Sequence, residues 1–135
     1  MPHLTLEYSA NLVDVDSDSI AMLCRKLARC LQNQQDNERA VYPPGGIRVR
    51  ALRCDDYCIA DGRADDAAFL HGCLKIGAGR SDAIKKATGD ALFDVIREHF
   101  AQAFEKHGLA LSLEIGEFSE AGTWKHNNLH ARLKG

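Results

Sequence analysis

The sequence predicts an α/β fold of the α+β kind: two β-α-β units joined into one four-stranded mixed sheet, with two helices on one face. Three observations lead there. Short segments of strand period alternate with two long segments of helical period, in the order strand, helix, strand, strand, helix, strand. The halves echo each other at an offset of roughly 65 to 70 residues. Parallel pairing of the two strands in each half needs a crossover, and each half supplies a helix for it.

The first unit opens with residues 3–8, which alternate so that Leu4 and Leu6 share one side of a strand. Residues 14–19 are polar and offer several helix N-caps. Ile20, Leu23, Cys24, Leu27 and Leu31 then recur at helical spacing, predicting an amphipathic helix to about residue 34. Residues 32–39 are polar, and Tyr42-Pro43-Pro44-Gly45-Gly46 breaks the chain. In the strand expected over residues 47–52, Ile47, Val49 and Ala51 point one way, Arg48 and Arg50 the other. Arg53 faces away from those two arginines. A further strand is expected at residues 57–60, before a turn at Asp61-Gly62.

The second unit begins with an apolar strand over residues 68–76. Gly77-Ala78-Gly79-Arg80-Ser81 is a tight turn with Ser81 as N-cap. The helix that follows carries Ile84, Ala91, Leu92, Val95, Ile96, Phe100 and Phe104 as one stripe, and Gly108 is expected to cap its end. Residues 109–115 form the last strand. Residues 117–135 read as irregular, with at most one short strand or helix. The chain over residues 1–135 thus reads as a single domain with an internal repeat, roughly 2–60 and 66–118, and a C-terminal tail. No segment is left over to cover the second sheet face, so other subunits are expected to cover it.

Composition excludes several classes. With 45% apolar and 27% charged residues the 135-residue chain has an ordinary globular makeup. A formal charge of −2 gives no nucleic-acid footprint. No apolar run approaches the ~18 residues of a membrane span. The first residues carry neither a basic n-region nor an apolar h-region, so no signal peptide is read there. The five cysteines form no C-x-x-C pair and are predicted to be free thiols in a reducing cytoplasm, with Cys24, Cys30 and Cys73 at apolar positions.

Several residues bear on chemistry. Pro2 follows Met1 directly. On position alone it is a stiff start to an edge strand. Once the initiator methionine is removed, it becomes a secondary amine, which an internal proline can never be. A free α-amine titrates near 8, and an apolar pocket or nearby cations lower that value, leaving a base at neutral pH. The counterpart of Pro2 in the second half is read as Gly72, inside the chain, so each chain should hold one such centre. Arg48 and Arg80 suit a polyanionic substrate, because a guanidinium fork grips a carboxylate and never loses its charge. Gly77-Ala78-Gly79 lacks a P-loop Lys-Ser/Thr and reads as a turn whose helix N-terminus helps hold a carboxylate. His126 and His130 are four apart but have no third ligand at matching spacing, so no metal site is read there. Phe118 and Trp124 either close the pocket or pack a trimer contact, and packing is the first reading.

Pro2 after Met1, the duplicated unit, Gly46-Ile47-Arg48-Val49-Arg50, the run from Leu74 to Ser81 and the run from Lys125 to Ala131 together resemble the 5-carboxymethyl-2-hydroxymuconate isomerase family. That family lies in the tautomerase superfamily, beside the shorter 4-oxalocrotonate tautomerase. The resemblance spans nearly the whole chain. It implies a tautomerase-like fold and a homotrimer whose sheets form a barrel-like core, with active sites near subunit boundaries. It implies cofactor-free proton transfer in a di- or tricarboxylate dienol acid, within bacterial breakdown of homoprotocatechuate. Carried over residue by residue, it makes Pro2 the acid–base catalyst and Arg48 and Arg80 catalytic and substrate-binding residues. Arg50 is a further substrate contact. Residues 32–41 look longer and more polar than the family pattern, which bears on the pocket rim. On the same scaffold, a proline-dependent hydratase, dehalogenase or decarboxylase is the alternative, and a non-enzymatic binding protein stands outside catalysis.

Overall fold

The structure is a computed structural model that describes residues 1–15 and 19–133. In chain order its elements are β1 (His3–Ser9), α1 (Leu12–Val15), α2 (Ile20–Gln32), β2 (Gln35–Asp36), β3 (Arg39–Ala40), a 3-10 turn (Pro44–Gly46), β4 (Arg48–Cys54), β5 (Ala68–Ile76), α3 (Asp82–His99), α4 (Ala101–Lys106), β6 (Leu109–Glu117) and α5 (Leu129–Arg132). Four strands form one sheet in the order β4-β1-β5-β6. The pairs β1–β4 and β5–β6 are parallel, and β1 meets β5 antiparallel. Each parallel pair is bridged by its own long helix, α2 or α3, so the sheet is two β-α-β units placed back to back.

Period-2 alternation decides what the sheet buries. Leu4, Leu6 and Tyr8 of β1 and Leu70, Leu74 and Ile76 of β5 point under the helices and are buried. From above, α2 lowers Leu23, Leu27 and Leu31, spaced by one turn, onto the same core. Leu92, Ile96 and Phe100 do this for the second unit. Both helices start in the predicted way: the hydroxyl oxygen of Ser19 accepts from the Met22 amide at 3.0 Å, and that of Ser81 from the Ile84 amide at 3.2 Å. The rest of the polar stretch read as capping includes residues 16–18, which lie outside the described residues.

Several expectations change. No strand forms over residues 57–60; the chain there turns through Ala60 at φ 54° and Gly62 at φ 78°. β4 is already the sheet edge, and among the described residues no strand continues the ladder beyond it. The long second helix breaks at Phe100, and the chain leaves the predicted stripe, so Phe104 is 61% exposed. Gly108 lies one residue past the C-cap His107 and does not have positive φ; its carbonyl instead accepts the Ala68 amide at 2.9 Å and starts the β5–β6 ladder. The polar segment after α2 folds into the β2–β3 hairpin, turning through Asn37 at φ 51° and Glu38 at φ 67°, the primed geometry that suits strand twist. Gly72 pairs with Leu6 in mid-strand, so it is not the counterpart of Pro2; the residue preceding β5 is Ala67.

The face away from the helices is more polar than the sequence suggested. It carries Thr5, Glu7, Arg50, His71, Lys75, Ser112 and Glu114. Cys73 sits here too, rather than at an apolar position, because β5 places Gly72 and Leu74 on the helix side. His71 spans Ser112 Oγ at 2.7 Å and Glu114 at 3.1 Å. Cys24 and Cys30 do pack against the core, and burial pushes both thiols up. All five cysteines are free. No helix among the described residues is long and apolar enough to cross a membrane.

Candidate active site

The amino terminus lies at the seam of the two units. Pro2 is buried, and its carbonyl accepts the Arg48 amide at 3.0 Å, which extends the β1–β4 ladder by one residue. Here Met1 still precedes it, so the Pro2 nitrogen is a peptide nitrogen and the amine belongs to Met1. That amine stands in, one residue out, for the secondary amine that a chain beginning at Pro2 would carry. It borders a cavity of about 230 Å³ whose wall includes His3, Phe118, Glu120, Trp124 and Lys125. Burial holds the amine below its ordinary range, and Arg80, Lys125 and Arg48 push the same way against a smaller opposing effect of Glu120.

Arg48 and Arg80 reach this end of the sheet from different units, and each is anchored by backbone carbonyls. Arg48 donates through Nη1 to the Gly45 carbonyl at 2.9 Å and the Ile47 carbonyl at 3.1 Å. Arg80 donates to the carbonyls of Gly77 at 3.2 Å and Val41 at 3.1 Å. Its guanidinium carbon also lies 4.8 Å from the centroid of the Tyr42 ring. Tyr42 is itself fixed, with its hydroxyl 2.9 Å from Thr88 Oγ1 in the core. Neither arginine pairs with a carboxylate among the described residues. Two guanidinium groups held by neutral carbonyls keep their full charge for an anion, with N–H donors to spare.

Arg50 stands apart. It is exposed on the polar sheet face, with Nη1 3.2 Å from His3 Nδ1, and lines a neighbouring cavity of about 540 Å³ with Glu7 and His71. His3 and Phe118 border both cavities, their rings edge to face at 5.6 Å. Burial, then Arg50 and Arg48, lower the pKa of His3, which favours its neutral form. Trp124 is 88% exposed in the single chain and stands on the cavity wall.

From its sequence the C-terminal run is a motif whose Asn127-Asn128 pair fits hydrogen bonding. In the structure it folds back over the 3-10 turn. Asn127 donates to the Gly45 carbonyl at 3.0 Å, and its own carbonyl oxygen accepts the Leu129 amide at 2.6 Å. His130 lies so close that a Cβ on Gly45 would come within 2.7 Å of its backbone. A Cβ on Gly46 would meet Met1 at 3.3 Å. The glycine pair thus admits both chain ends to one spot. Its presence before Arg48 was the available signal; what packs on it is a contact far apart in sequence.

Residues 2–133 match the family model described as 5-carboxymethyl-2-hydroxymuconate isomerase. The chain is 37% identical over 134 residues to the 5-carboxymethyl-2-hydroxymuconate Delta-isomerase of Escherichia coli, covering 99% of this chain and all of that one. It superposes at a TM-score of 0.89 on the crystal structure of a 5-carboxymethyl-2-hydroxymuconate isomerase from Deinococcus radiodurans R1, with 51% identity, covering 99% of this chain and 95% of that one. A fused 4-OT symmetric trimer aligns at a TM-score of 0.60 and 14% identity over 92% of this chain and 93% of that one, a likeness of fold alone. The chain therefore belongs to the 5-carboxymethyl-2-hydroxymuconate isomerase family.

Proposed function

We propose that the chain, once it begins at Pro2, moves a proton within 5-carboxymethyl-2-hydroxymuconate or a close dienol acid, using the Pro2 nitrogen as base and then acid. The observation that carries this is the cluster of three cations around a partly buried amine that they and burial hold low. An amine held low gives up its proton more readily than a free α-amine, and in its neutral form it can take the enol proton or a proton on the adjacent carbon. Protonated, it returns the proton elsewhere on the conjugated system. Arg48 and Arg80 bind carboxylates, and one of them also steadies the negative charge that develops on the dienolate oxygen. Arg50 lies beyond His3 and acts at the rim. All of this is acid–base and electrostatic work, and it asks for no cofactor.

The whole chain serves as one functional domain in this reading, in a cytoplasmic homotrimer acting in homoprotocatechuate breakdown. The polar sheet face is the surface that assembly would enclose. The test is an ultraviolet assay on the dienol acid beside intact-mass measurement of the protein. Isomerisation by a protein whose mass lacks methionine supports the proposal. Turnover confined to halogenated acids, or none at all, refutes it.

A further inference from the structure

The name of the proposed substrate specifies three carboxylates: two on the muconate chain and one on the carboxymethyl arm. Arg48 and Arg80 account for two anionic positions. The third cation acting on the amine is Lys125. It lies on the cavity wall beside Phe118 and Trp124, and makes no hydrogen bond or ion pair among the described residues. Glu120 is the one carboxylate on that wall.

Lys125 sits in an irregular segment, yet the segment is pinned. Two residues on, Asn127 donates to the Gly45 carbonyl, the same oxygen that accepts Arg48 Nη1. One carbonyl therefore ties the position of Lys125 to that of Arg48. His130 packed against the Cβ-less Gly45 fastens the far end. An uncommitted ammonium on a pinned segment, at the wall of the cavity that Met1 also lines and beside an amine on which Arg48 and Arg80 act, has the makings of a carboxylate subsite.

We infer that Lys125 binds the carboxymethyl carboxylate of the substrate, and that Asn127 positions it by holding the C-terminal segment on Gly45. This rests on the proposed function. An ammonium–carboxylate contact confers selectivity for the tricarboxylate over 2-hydroxymuconate, which has the same dienol and lacks the arm.

The experiment measures KM and kcat of Lys125→Met, Lys125→Arg and Asn127→Ala on both acids, beside the native chain and Pro2→Ala. Lys125→Met should raise KM for the tricarboxylate roughly 10- to 100-fold, as loss of a charged hydrogen bond does. Losing this cation also relaxes the hold on the amine, which moves the acidic limb alike on both acids, so both are compared on the pH plateau, where the KM loss on 2-hydroxymuconate should be several-fold smaller than on the tricarboxylate. Lys125→Arg should restore most of the KM, and Asn127→Ala should show a weaker form of the same selectivity loss. Equal losses on both acids, or no loss on either, overturn the inference while leaving the proline mechanism standing. Pro2→Ala should lose kcat on both. A native chain inactive on both acids fails the proposed function itself, and this inference with it.

Discussion

The two β-α-β units share a plan and differ at their ends. Each has a parallel strand pair, a serine-capped crossover helix and an apolar core stripe. The first unit begins at Pro2, whose nitrogen the proposed mechanism uses as a free amine. The second begins at Ala67 and Ala68 in mid-chain, where no amine is available. The connection after β1 runs through α1 and residues 16–18, whereas β5 passes to α3 through the short turn carrying Arg80. Arg48 comes from the second strand of the first unit. The site is thus assembled from what the repeats do not share, on a frame that they do.

The comparison breaks most sharply at Pro2. Replacing it with Ala in a chain with Met1 removed leaves a primary amine of different geometry. We expect kcat/KM to fall about 100-fold or more, the range of lost acid–base catalysis, in steady-state ultraviolet assays. Removing one arginine tests whether both units contribute. Arg48→Ala or Arg80→Ala should each cost activity, and the one facing the dienolate should lower kcat by about 10²- to 10³-fold. A variant that raises KM alone identifies the carboxylate binder.

The pH profile sharpens the claim about the terminus. Burial and the charges of Arg80, Lys125 and Arg48 hold the Met1 amine low, and the same surroundings should hold low an amine at Pro2, one residue inward. Activity that needs the base should therefore fall on acidification through a pKa below ~8, and persist above it. A limb at or above that value would contradict the electrostatics. Two smaller effects test the frame. Gly45→Ala drives a methyl into the His130 backbone and should destabilise by ~1–3 kcal/mol in urea titration. Tyr42→Phe leaves Thr88 Oγ1 without its partner and should cost about 1 kcal/mol, with little change in the ring beneath Arg80.

The frame was legible because its signals are local. Serine caps, i, i+4 leucines and the 68–76 strand stand in the sequence as they stand in the fold. Cys73 was misplaced because it was read by its own apolar character, although His71 and Lys75, two residues to either side, mark its face as the polar one. The β2–β3 hairpin was missed because it turns on Asn37-Glu38 with no glycine. At the site, Pro2, Arg48 and Arg80 were legible as residue types in motifs. Their backbone anchors were not, nor was the return of Asn127 and His130 to Gly45, since these join residues far apart in the chain.

The central claim concerns one nitrogen, and one paired measurement addresses it. The same protein is prepared with Met1 removed and with Met1 retained, each verified by intact mass, and kcat/KM is measured for both on 5-carboxymethyl-2-hydroxymuconate. The chain beginning at Pro2 should isomerise the acid, and the chain keeping Met1 should be inactive although folded. Equal activity in the two preparations would contradict the account, because the Pro2 nitrogen of the longer chain is an amide with no basicity.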